Sequence, residues 1–194
     1  NTGTTLTLRD GNGAIVHSVA YNDDWYRDNI KATGGWSLEQ IDPANPCGES
    51  GNWKASNDPK GGTPGSINSV NSSNADQSAP AIEKVSISGE SIIRVFFNEA
   101  MDSLSLSNPA LYSVDNGLGN PLGISLHPPD YRSVSLIFGG IINDGIIYTL
   151  SMAAGFTDCA GNTTSTLMTA RFAIPQTIEA NDVVINEVLS DPKA

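Results

Sequence analysis

The residues able to do chemistry in this chain are few and unevenly spread. The two histidines, His17 and His127, stand far from each other; His17 alternates with Ile15 and Val19 along one face of a strand, and His127 precedes Pro128-Pro129. Neither belongs to a GxSxG or HExxH pattern, no glycine loop is built to cradle a phosphate, and the many serines have no neighbouring base to activate them. Carboxylates gather at Asp23, Asp24 and Asp28 and again at Glu99 and Asp102. Such groups could supply oxygen ligands to Ca²⁺, but their spacing matches no EF-hand loop, so they read as solvated turn residues and no metal is assigned. A carboxylate pair for glycoside hydrolysis would need a cleft, which two small sandwiches supply only between domains. No catalytic residue and no cofactor is expected, and the chain reads as a non-enzyme.

Aromatic chemistry is confined to the first third, where all three tryptophans lie: Trp25, Trp36 and Trp53. They read first as packing that staples irregular loops to a small sheet. As a ligand platform they would offer flat faces to a sugar or polymer, provided the rings are exposed and coplanar. The two cysteines, Cys47 and Cys159, are too distant for a zinc knuckle and form no CxxC.

The elements that must position these groups are β-strands. Among 194 residues there are 19 Gly and 11 Pro, and no window carries a convincing 3.6-residue apolar period, which predicts an all-β chain of short strands and turns. Net charge is −11 with a pI near 4.3 and the basic residues are scattered, so nucleic acid and anionic membrane surfaces are excluded as partners. No stretch is long and apolar enough to span a bilayer, so membrane insertion is excluded too. No signal peptide is visible, and the opening residues begin inside a hairpin, so the sequence reads as a piece of something longer, upstream of which targeting signals could lie.

Thr4 to Leu8 and Ala14 to Tyr21 alternate around Asp10-Gly11-Asn12-Gly13, a hairpin signal. Trp36 to Ile41 reads as a short strand, followed by a long tail rich in Pro, Gly and Asn. Ser69 to Pro80 reads as a linker. Seven strands are then predicted: Ala81–Ser88, Ser91–Phe97, Ala110–Val114, Gly123–His127, Ser133–Phe138, Ile146–Met152 and Leu167–Ile174. Seven short strands over about 95 residues is the count of an immunoglobulin-like sandwich. Alternation predicts that Ile87, Val95, Phe97, Tyr112, Leu136, Tyr148 and Phe172 are buried. A last apolar run, Val183 to Leu189, closes at Asp191-Pro192 and reads as one more strand.

Two resemblances follow from these residues. Phe97, Glu99, Met101 and Asp102 after the second sandwich strand, with Asp158, Gly161 and Asn162 before the last, resemble the F-x-E-x-M-D and D-x-x-G-N stretches of bacterial Ig-like domains first recognised in surface-layer proteins. "TTLTLRDGNGAIVHSVAY" and the extension behind it resemble the C-terminal hairpin of bacterial lamin tail domains, and "DVVINEVLSDP" the first strand of that family. The division implied is a partial lamin-tail-like segment at 1–68, a linker at 69–80, an Ig-like β-sandwich at 81–175, and at 176–194 a linker with the first strand of a following lamin-tail-like domain. The function implied is a structural or adhesive spacer in a secreted or cell-surface bacterial multidomain protein, whose partners are neighbouring β-modules of the same protein or another copy of the chain. The alternative is a carbohydrate-binding accessory module of an extracellular enzyme, with a glycan as partner.

Two expectations concern how the pieces join. In a seven-strand up-and-down count the turn holding Cys159 lies at the pole where the linker enters, so a Cys47–Cys159 bridge is geometrically feasible; the alternative is that Cys47 pairs with a missing part of its own module. Val183 to Leu189 cannot comfortably turn back across the sandwich, since six residues from Gln176 span only about 20 Å. It is expected to pair with a neighbouring copy or stay loosely ordered.

Overall fold

The computed structural model describes residues 3–45, 47–175, 180 and 182–187. The chain opens with the hairpin of β1 (Thr4–Arg9) and β2 (Ile15–Tyr21). Its turn is organised by Asp10, whose carboxylate accepts from the backbone N–H groups of Asn12 and Ala14 at 2.9 and 2.8 Å, while Gly13 takes the φ of +86° that the reversal requires. Two short 3-10 turns, Asp23–Tyr26 and Lys31–Thr33, lead to β3 (Leu38–Gln40), which pairs with β4 (Trp53–Ala55). Strand β4 falls within the stretch expected to be irregular; three residues bounded by Asn52 and Ser56 carry too short an alternation to read.

This N-terminal lobe has a polar core. Its buried residues are Glu39, Asn45, Asn52, Ala55 and Ser56, whereas every member of the apolar core cluster belongs to the following domain. Asn52, 0 % exposed, holds three chain segments at once: its carbonyl oxygen accepts from Asp42 N–H at 2.9 Å and from Asn74 Nδ2 at 3.0 Å, and its amide donates to the carbonyls of Asp42 and Asn45 at 2.7 and 2.6 Å. Gly48 is required beside it, because a Cβ there would lie 2.5 Å from the Asn52 Cβ. The expected linker is tied into the same network. Ser72 N–H donates to the Ile41 carbonyl at 3.0 Å and Asn74 N–H to Asp42 at 2.8 Å, so the start of the 69–80 stretch, although exposed, is anchored by its backbone.

The second domain is a two-sheet sandwich. β5 (Ile82–Gly89), β6 (Ile92–Phe97), β8 (Gly123–Leu126) and β9 (Ser133–Ile137) form one sheet in the order β5-β6-β9-β8; β7 (Tyr112–Val114), β10 (Tyr148–Met152) and β11 (Met168–Phe172) form the other, in the order β11-β10-β7. A short helix α1 (Ser103–Leu106) follows β6. Four strands facing three with all pairs antiparallel is the immunoglobulin constant-type arrangement. All seven predicted strands are present, the first shifted by one residue to Ile82–Gly89 and the other six with slightly narrower bounds.

Six of the seven residues expected in the core are buried; Ile87, on the edge strand β5, is half-buried and packs against the cluster. Tyr112 meets Phe156 edge-on at 5.0 Å and sends its hydroxyl proton to the Leu106 carbonyl at 2.9 Å, so a large polar-tipped ring is buried without an orphaned donor. Each such side chain contributes about 1.5–3 kcal/mol through burial. Beyond β11, Val183, Val184 and Ile185 are exposed and belong to no strand, while Val188 and Leu189 of the expected terminal strand lie outside the described residues.

Candidate functional site

The lobe meets the sandwich at one pole, where the two sequence motifs converge. Met101 forms an antiparallel bridge with Asp158, Asp102 N–H donates to the Thr157 carbonyl at 3.0 Å, and Cys159 N–H donates to the Ala100 carbonyl at 3.0 Å. The F-x-E-x-M-D and D-x-x-G-N stretches are thus two halves of one junction. Asp102 caps α1 by accepting from Ser105 N–H at 2.9 Å. Asp158, 2 % exposed, accepts from the backbone and side-chain nitrogens of Asn162, both at 2.8 Å, and Gly161 between them has φ +97°.

Two cross-links fasten the lobe to this junction. Cys47 and Cys159 are disulfide-bonded, with Cα atoms 5.9 Å apart. Arg132, before β9, donates to both carboxylate oxygens of Glu49 and also bonds the Asn98 carbonyl. Burial pushes the Glu49 carboxyl above its usual range, and the Arg132 charge only partly offsets this.

Between the fastened parts runs a cleft of about 910 Å³, bordered by β2, by Trp25 and Trp53, by the disulfide and by the loops at Ala100–Ser103, Pro129–Arg132 and Thr157–Gly161. Trp25 and Trp53 approach to 6.5 Å between ring centroids with planes tilted by 39°. Trp36 is not with them; Lys31 lies over its ring at 4.6 Å and Tyr26 donates to its carbonyl. His17 borders the cleft.

A carboxylate cluster stands beside the junction. Asp76, Glu99 and Asp158 each bring an oxygen within 4.8 Å of the others, a set able to share a proton or take a hard cation. Burial, then the charges of Asp76 and Asp158 and hydrogen bonds to both, raise the Glu99 carboxyl to about 7. Sequence reading paired Glu99 with Asp102 instead, and nothing local marks Asp76, which arrives from the 69–80 stretch. Asp23, Asp24 and Asp28 lie apart, in the turns that start the two 3-10 segments.

Glu39 is the other perturbed carboxylate. Burial would raise it, but hydrogen bonds from Thr63, Ser69 and Ser56 together lower it to about 2. Thr63 donates to one oxygen at 2.7 Å, and Ser69 donates to the other through both its hydroxyl and its N–H, each at 2.7 Å. His127 bonds Ser135 Oγ at 2.9 Å, and among the described residues no carboxylate bonds its other ring nitrogen. No helix of the described residues is long and apolar enough to cross a membrane.

Residues 70–173 match a family model described as a bacterial Ig-like domain. No curated protein matches the chain. Among solved structures, a crystal structure of the S-layer protein rSbsC is similar at 21 % identity and a TM-score of 0.44, over 53 % of this chain and 14 % of that one. A structure of domains 1-6 of surface layer protein SbsC is similar at 19 % identity and a TM-score of 0.42, over 50 % and 14 %. The N-terminal part of the bacterial S-layer protein SbsC is similar at 20 % identity and a TM-score of 0.42, over 50 % and 24 %.

Proposed function

The chain belongs to the bacterial Ig-like domain family, and from that membership we propose that it is a non-catalytic structural or adhesive spacer in a secreted or cell-surface bacterial multidomain protein. The observation that carries this reading is the double fastening of the lobe to one pole of the sandwich, by the Cys47–Cys159 bridge and the Arg132–Glu49 pair. A joint closed by one covalent bond and one ion pair transmits orientation from one module to the next, which is what a spacer must do. A disulfide is itself suited to an oxidising, extracytoplasmic compartment. The domain division proposed is a lobe at 1–68, a connecting stretch at 69–80 and the sandwich at 81–175; reading the lobe as the end of a lamin-tail-like domain, and 176–194 as the start of another, rests on the hairpin and terminal motifs alone. Neighbouring modules, or another copy engaging Val183 to Leu189, are the partners.

Small-angle scattering tests this. A spacer predicts that the oxidised chain fits a single separation of lobe and sandwich. A profile requiring a broad range of separations overturns the reading.

The second reading, a carbohydrate-binding accessory module, rests on Trp25 and Trp53 lying together at the cleft, although the two rings are half-buried and tilted by 39° where a platform wants them exposed and coplanar, and Trp36 stands elsewhere. Glycan-array binding abolished by Trp25→Ala and by Trp53→Ala supports it; binding that is absent, or unchanged in both variants, removes it.

A further inference from the structure

The outward face of the four-stranded sheet has a composition opposite to the chain as a whole. Its register aligns Lys84, Phe96 and Ser133 in one row, Ser86, Arg94, Ser135 and Ser125 in the next, and Gly89, Ile92, Ile137 and Gly123 in the third. No paired outward position is acidic, in a chain whose net charge is −11. Glu83 falls in the β-bulge between Ile82 and Lys84 instead.

Both cations of this face stand over the same ring. Lys84 Nζ is 4.8 Å and the Arg94 guanidinium carbon 4.9 Å from the Phe96 centroid. Arg94 donates through Nε and Nη2 to Ser133 Oγ at 3.0 and 2.8 Å, which fixes the planar fork against the sheet. No carboxylate of the described residues pairs with Lys84 or Arg94; the salt bridge of the sandwich involves Arg132. His127, bonded to Ser135 Oγ, borders the same rows; burial and the neighbouring Arg94 charge hold it below its ordinary value, as expected in a locally positive field.

We propose that this sheet face, through Lys84 and Arg94 with the serine rows beside them, binds a carboxylate-bearing polysaccharide. Charge complementarity selects an anion, because two cations without carboxylate partners stand together over one ring on an otherwise acidic molecule. Ser133 is buried beneath the Arg94 fork and Ser135 holds His127, so Ser86 and Ser125 are the hydroxyls turned to a ligand; such short side chains select a hydroxyl-rich ligand over an acidic protein surface, offering donors and acceptors but no knobs or pockets for interdigitating side chains. Phe96 supplies no stacking surface, since the cations stand over it, so recognition is polar and salt-sensitive. The site is separate from the tryptophan cleft and does not depend on the spacer reading.

Affinity electrophoresis at low ionic strength tests the proposal with three immobilised probes: polygalacturonate, neutral dextran, and poly-glutamate. A molecule of this net charge is repelled by polyanions in general, so retardation reports a local site. The wild type is expected to be retarded by polygalacturonate, not by dextran, and about tenfold less by poly-glutamate. Lys84→Gln with Arg94→Gln should weaken the retardation about tenfold or more, and Lys54→Gln with Lys60→Gln, the same charge change on the lobe, should leave it intact. Should the double variant fold poorly, Lys84→Glu changes one exposed side chain and should still cost about threefold to tenfold. No retardation, equal retardation by poly-glutamate, or equal losses in both double variants overturns the proposal.

Discussion

Arg132 reaches from the sandwich to Glu49 of the lobe and donates to both carboxylate oxygens, at 2.6 and 2.5 Å. The pair is about two-thirds covered, with side chains 34 % and 37 % exposed, and removing the cation would leave a carboxylate whose burial already disfavours its charge. Arg132→Ala is expected to destabilise the docked lobe by about 1 kcal/mol, the upper part of the range for partly exposed pairs. Urea unfolding monitored by tryptophan fluorescence, which reports the lobe alone, checks it.

The disulfide closes a separation of 112 residues. In the chain-entropy description a loop of this length contributes about 4 to 5 kcal/mol. Reduction, or Cys47→Ser with Cys159→Ser, should therefore lower the sandwich transition, because most of that domain lies inside the closed loop, and lower the lobe transition further as its covalent tie is lost. Differential scanning calorimetry with and without reductant distinguishes this from a single cooperative loss.

Glu39 predicts acid sensitivity. Its folded-state carboxyl is held near 2, below the ordinary 4.5, so its contribution is fully present above about pH 4.5 and is lost as pH falls toward 2; the gap corresponds to about 3 kcal/mol. Glu39→Gln should destabilise the lobe at pH 7 and flatten its stability between pH 4.5 and 2. Denaturant midpoints across that window are the measurement.

Glu99 has the opposite sign. Its carboxyl is raised to about 7, so the folded state holds the proton more tightly than the unfolded one, and stability contributed by the protonated form is lost as pH rises from about 4.5 through 7. Glu99→Gln should remove that decline and make the protein more stable than wild type at pH 8. Thermal midpoints of both proteins at pH 5 and pH 8 decide it: an unchanged difference between the two would contradict the placement of Glu99 against Asp76 and Asp158.

The sandwich was readable because each of its strands advertises itself locally. Ile93, Val95 and Phe97 alternate with Arg94 and Phe96 over enough residues to define a face, and turn residues close both ends. The lobe was not readable in the same way. Its core residues Glu39, Asn45, Asn52 and Ser56 are of types that usually mark surface, and what buries them is a set of partners up to 30 residues away, as between Glu39 and Ser69. The same applies to the junction. The motif residues Glu99 and Asp158 were visible, but Asp76, which completes their cluster, and the separate Arg132–Glu49 pair come from distant stretches that carry no pattern of their own. The tryptophans illustrate the remaining gap, since spacing along the chain could not tell that Trp25 and Trp53 meet while Lys31 covers Trp36.

The polar core of the lobe sets an order in time. A set of hydrogen bonds gives little drive for early collapse, because each one replaces a bond to water, whereas the sandwich has an apolar cluster to condense around. The lobe is made before the sandwich on the ribosome but is locked only when Cys159, most of a domain later, is available to Cys47. The lobe, synthesised before the sandwich, therefore matures after it, and until the sandwich has condensed the lobe is the more open of the two to proteases and to thiol-disulfide catalysts.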